Sequence, residues 1–123
     1  MSVYLHDWSD SKLEGLKDDF SITDKDLEGV EILLASYTYK NYSGDAFVLF
    51  RKDGKLYEVN GSHCSCCGLS EQSYSGKTTD TQWQPEETTK EALLHRITEG
   101  SFGHDRYSGN EFAAELKTVL DSL

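Results

Sequence analysis

Asp53-Gly54 separates two short runs of strand-forming residues, Ala46-Phe47-Val48-Leu49-Phe50 and Leu56-Tyr57-Glu58-Val59, and that arrangement all but commits this part of the chain to a β-hairpin. An Asp-Gly pair suits the positive φ angles of a type I′ turn, whose twist matches that of the strands it joins. Upstream, Val30-Glu31-Ile32-Leu33-Leu34-Ala35-Ser36-Tyr37-Thr38-Tyr39 is rich in aliphatic and aromatic residues, and it reads as an earlier strand with Val30, Ile32 and Leu34 on one face. Asn41 to Gly44 supplies turn chemistry between them. Residues 30–63 are therefore expected to form a three-stranded antiparallel meander, the centre of the fold.

The flanks read as helical. In residues 1–29, Ser9 or Asp10 can cap a short helix in which Leu13, Leu16 and Phe20 recur at i, i+3 and i+7, with Gly15 as a weak point. Thr23 to Glu28 fits a turn or a second short helix, because Thr23 and Asp26 have the spacing of a capping box. Residues 64–87 hold repeated Gly, Ser, Thr and Gln with little periodicity and are expected to form a long irregular loop. Residues 88–123 read as two helices. The first opens on Thr88 with Glu91 as a capping box, carries Ala92, Leu93, Leu94 and Ile97, and ends at Gly100. The second opens on Ser108 with Glu111 and places Phe112, Leu116, Val119, Leu120 and Leu123 on one face, a stripe able to cover one side of a sheet. With 123 residues the chain suits one domain. The expected class is α+β: a three-stranded or slightly larger antiparallel meander packed by two to three helices.

Charge limits the partners. Twelve Lys and Arg stand against 22 Asp and Glu, a net charge of −10. Binding to a nucleic-acid backbone relies on cations that neutralise phosphate, and no basic run is present. The expected partner is a protein with a basic surface. Residues 1–31 hold nine acidic and three basic side chains, so the negative pole lies there. Asp10, Glu14, Asp18, Asp19, Asp24 and Asp26 are the candidate partner-binding carboxylates, and Tyr42 and Tyr107 the candidate aromatic anchors. The same carboxylates also read as a solvated helix face that keeps the protein in solution. No apolar run approaches the roughly 20 residues of a membrane span, and Met1 to Asp10 lacks the basic and apolar regions of a secretion signal. The expected setting is the cytoplasm, as a monomer or homodimer without a membrane partner.

His63-Cys64-Ser65-Cys66-Cys67 is the densest group of soft ligands in the chain. Thiolate and imidazole are what zinc prefers, and His63, Cys64 and Cys66 with His104 form the candidate metal set. The close spacing argues against a simple zinc finger, which separates its ligand pairs. Buried structural thiols are a second reading. The third is a reactive Cys64 or Cys66 with His104 as base, oriented by Asp105 or Asn60. The leading expectation is no cofactor, with zinc as the alternative. No GxxxxGK[ST] loop, GxSxG elbow or HExxH helix occurs.

Tyr42-Ser43-Gly44-Asp45-Ala46-Phe47-Val48-Leu49-Phe50 and the stretch from Asp53 through Asn60-Gly61-Ser62-His63-Cys64-Ser65-Cys66 resemble a group of small bacteriophage and prophage proteins. The resemblance continues through Trp83-Gln84-Pro85-Glu86-Glu87-Thr88 and Gly109-Asn110-Glu111-Phe112, covering roughly residues 30–123. This chain departs from the group at Cys67, often an aromatic position there, and in the loop from Ser70 to Gln82, often shorter. The resemblance carries no activity to the chain. It implies a setting in which small acidic phage products bind and inhibit host enzymes or defence systems, in some cases by nucleic-acid mimicry. That effector role without catalysis is the leading expectation. A zinc- or thiol-dependent module, enzymatic or not, and a self-associating structural phage protein are the alternatives.

Overall fold

In the computed structural model the runs flanking Asp53-Gly54 form the two longest strands, matched rung for rung from Lys52 opposite Lys55 to Ser43 opposite Cys64. Residues 3–6, 8–20, 22–38, 43–64, 70–72, 78–81, 83–99, 102 and 111–123 are described, with backbone alone at 43–44, 62–64, 70–72 and 78–81. The elements are β1 (Val3–His6), α1 (Trp8–Phe20), β2 (Glu31–Tyr37), β3 (Ser43–Lys52), β4 (Lys55–Cys64), β5 (Ser70–Gln72), β6 (Thr78–Thr81), β7 (Glu86–Thr88), α2 (Lys90–Thr98) and α3 (Ala113–Asp121). Asp53 and Gly54 have φ of 54° and 77°, as a type I′ turn requires.

The expected meander β2-β3-β4 is the centre of a five-stranded mixed sheet ordered β1-β2-β3-β4-β7. Two edge strands extend it. β7 lies antiparallel to β4, while β1 lies parallel to β2 and reaches it through α1, the helical crossover that a parallel pair needs. A separate two-stranded ribbon, β5-β6, occupies part of the stretch expected to be irregular.

The sheet is covered on both faces, which explains why β2 and β3 are nearly continuous apolar runs rather than alternating ones. Under α1, Trp8, Leu16 and Phe20 pack on Ile32, Ala35, Tyr37, Val48, Phe50 and Val59. On the opposite face Leu93 of α2, with Phe112, Leu116, Val119 and Leu120 of and beside α3, packs on Leu33, Leu34, Phe47 and Leu49. Phe47 is the hub there, stacked on Phe112 at 4.5 Å and edge-on to Phe102 at 5.1 Å. Each such buried side chain contributes roughly 1.5–3 kcal/mol by leaving water.

Several boundaries differ from the sequence expectation, each for a local reason. Ile32 pairs with Phe50 and Leu34 with Leu49, so Leu33 is the extra residue of a bulge. The bulge shifts the alternation by one. Ile32 and Leu34 therefore lie in opposite cores instead of sharing a face. Thr23 to Val30 is a run of turns, closed by Asp26 N–H to the Thr23 carbonyl at 3.0 Å and three similar bonds, rather than a helix. The cap of α2 is Thr89, whose hydroxyl accepts from Ala92 N–H at 3.1 Å, because Thr88 is taken up in β7 opposite Leu56. α3 begins after Phe112 without a side-chain cap; Glu111 precedes it, and the proposed cap Ser108 lies outside the described residues. Leu123 follows the end of α3 and is 43% exposed, so it leaves the apolar stripe. No helix among the described residues is long and apolar enough to cross a membrane.

Candidate functional site

The six candidate carboxylates divide into two groups. Asp19 accepts from the indole Nε1–H of Trp8 at 2.7 Å, fixing a fully buried ring. Asp26 accepts from the Thr23 backbone N–H at 2.9 Å and closes the turn after α1. Asp24 accepts from the Lys17 ammonium. That hydrogen bond, helped by the charges of Asp24 and Glu14, holds Lys17 above its ordinary value. These three carboxylates have jobs within the fold. Asp10, Glu14 and Asp18 are exposed on α1, where Glu14 also lies 3.6 Å from Lys17.

In a straight helix Asp10, Glu14 and Asp18 would form one line. α1 is broken at Lys12, which has φ 53° and ψ −132°, so Asp10 belongs to a first turn set apart from Glu14 and Asp18. The break brings the Ser11 side chain against Gly15, where an added Cβ would stand 2.0 Å from the hydroxyl. Gly15 is thus required by a close approach.

Two clefts flank the segment from Trp83 to Glu86, one on each face of the sheet. The first, about 260 Å³, is lined by Glu58, Asn60, Gln84 and Glu86. Glu58 is 6% exposed, and its carboxylate accepts from Arg96 through both oxygens at 2.7 Å and from Asn60 Nδ2 at 2.8 Å. The Arg96 guanidinium lies 3.8 Å above the Phe102 ring, so it is packed as well as paired. The second cleft, about 270 Å³, adjoins the acidic segment. Asp26, Lys52 and Asp53 line it together with the rings of Phe50, Tyr57 and Trp83. Phe50 lies 5.3 Å from Tyr57 and 5.6 Å from Trp83, with interplanar angles of 17° and 16°. Trp83 also meets Phe20 of α1 edge-on at 5.3 Å.

Sequence reasoning did not single out Glu58, Arg96 or the grouping of rings around Trp83. Glu58 alternates with inward Tyr57 and Val59 and so reads as a solvent-facing residue; only α2 above it changes that. The remaining candidates fall elsewhere. His63 and Cys64 are rungs of β4, opposite Gly44 and Ser43. Cys66, His104, Tyr42 and Tyr107 lie outside the described residues. Among the described residues no three His, Cys, Asp or Glu side chains converge as a metal site. Comparison of the chain with family models, with curated proteins and with solved structures gives no match.

Proposed function

We propose that the chain is a small acidic binding protein that occupies a basic site on another protein, as a phage effector does when it inhibits a host enzyme or defence system. The observation that carries this reading is the exposed carboxylate group on α1. Asp10 in the first turn, and Glu14 and Asp18 beyond the break at Lys12, are exposed on an element whose Trp8, Leu16 and Phe20 are buried in the core, in a chain of net charge −10. Carboxylates held at the surface by a packed helix steer onto positive surfaces and limit the wrong partners. A site built of Lys and Arg to hold nucleic acid is the chemical match, since carboxylates offer it the same sign of charge as phosphates.

The test is quantitative affinity capture from host extract on immobilised wild-type chain and on the Asp10→Asn/Glu14→Gln/Asp18→Asn variant, at one salt concentration. The specific partner is expected to be retained about tenfold less by the variant, the effect of roughly 1.4 kcal/mol. Equal retention on both columns would remove the acidic surface from the account.

A further inference from the structure

The cleft beside α1 combines features that a solvated acidic face does not explain. Its wall holds Phe50, which is 3% exposed, with half-buried Tyr57 and Trp83 in nearly the same ring orientation. Its lining also holds two carboxylates placed by rigid turns. Asp26 is fixed through Oδ2 by the Thr23 N–H, and Asp53 sits in the tight turn between β3 and β4. Asp53 makes no ion pair among the described residues. Aromatic faces attract a cation through their quadrupole, and a planar guanidinium can stack on a ring while its N–H groups reach carboxylates at the edge.

We propose that this cleft receives an arginine side chain presented by the basic partner. The proposal rests on the reading of the chain as a binder of basic proteins and gives that surface a specific receptor. A volume of about 270 Å³ leaves room for a guanidinium and part of its stem. Position supports it too, because Trp83 touches the end of α1 and Asp26 belongs to the turn that follows. A basic surface drawn to Glu14 and Asp18 would thus arrive beside the cleft. Lys52 is the one cation among the described residues of the lining, and on this proposal its charge opposes the incoming group.

The experiment follows the two indole N–H signals by NMR while the peptide Gly-Gly-Arg-Gly-Gly is added. Its citrulline counterpart, similar in shape and uncharged, is the control. Trp83 lines the cleft, whereas Trp8 is fully buried and serves as the reference for the fold. The arginine peptide is expected to shift Trp83 saturably and the citrulline peptide to leave it in place. Asp26→Asn/Asp53→Asn should weaken the effect about tenfold. Asn suits both backbones, since Asn-Gly also forms a type I′ turn and the amide oxygen can accept from Thr23. Lys52→Ala should tighten binding. Equal shifts with both peptides, no Trp83 shift with arginine, or an unchanged affinity in the Asp26/Asp53 variant would each overturn the proposal. If host capture depends on Asp10, Glu14 and Asp18 while Trp83 ignores arginine, the cleft fails and the acidic surface stands. If arginine fills the cleft while capture is indifferent to those residues, the receptor stands without that surface.

Discussion

Glu58 is held in a place where an unpaired carboxylate would not be tolerated. Arg96 and Asn60 replace the water it has lost, and the guanidinium in turn rests on Phe102. Arg96→Met keeps an unbranched apolar stem and removes the charge. The expected result in urea unfolding is a loss of about 2 kcal/mol, below the usual cost of breaking a buried pair, because the Arg96 side chain is 38% exposed. Adding Glu58→Gln should restore more than half of that loss; a double variant no better than Arg96→Met would show that the pairing is not what Arg96 contributes. This role was not legible in the sequence. Strand alternation assigns Glu58 to the face away from Tyr57 and Val59, and nothing local says that a helix some forty residues later covers that face. Asp53-Gly54 is the opposite case: its turn depends on the two residues themselves, and it was read directly. Asp19 and Asp26 were read as surface charge because their partners, an indole N–H and a backbone N–H, leave no mark in composition.

At the scale of elements, legibility follows how local the cause is. The meander and the two C-terminal helices come from runs of apolar residues with their own period; the meander and α2 stand where the pattern places them, while α3 begins at Ala113, more than a turn after the expected cap. The edge strands were missed because β1 has four residues and β7 three, too few to show a period. The bulge at Leu33 was missed because only the partner strand reveals the extra residue. α1 shows how a local rule can point the wrong way. Helix propensity says that Gly15→Ala should stabilise an exposed helix by up to about 1 kcal/mol. The break at Lys12 places the Ser11 Cβ 2.7 Å from where the new methyl would stand, so backbone must move. Gly15→Ala is therefore expected to lower stability by about 1–3 kcal/mol, as overpacking does. Thermal unfolding decides it: a raised melting temperature would mean that α1 runs unbroken through Lys12.

For the whole molecule, the layering divides the work. Helices α2 and α3 close one face of the sheet around Phe47, while α1 closes the other, exposes Asp10, Glu14 and Asp18, and meets Trp83 of the cleft through Phe20 at its C-terminal end. The charge imbalance was legible from composition alone. Which carboxylates are available was not, since half of the candidates are engaged within the fold. Binding through this charge is the function proposed for the chain. Its most direct test is the affinity for the captured partner measured across ionic strength from about 0.01 M to about 0.15 M, over which the screening length shortens from about 30 Å to about 8 Å. The dissociation constant is expected to rise at least about tenfold over that range, mostly through slower association. An affinity that stays flat across it would contradict the claim.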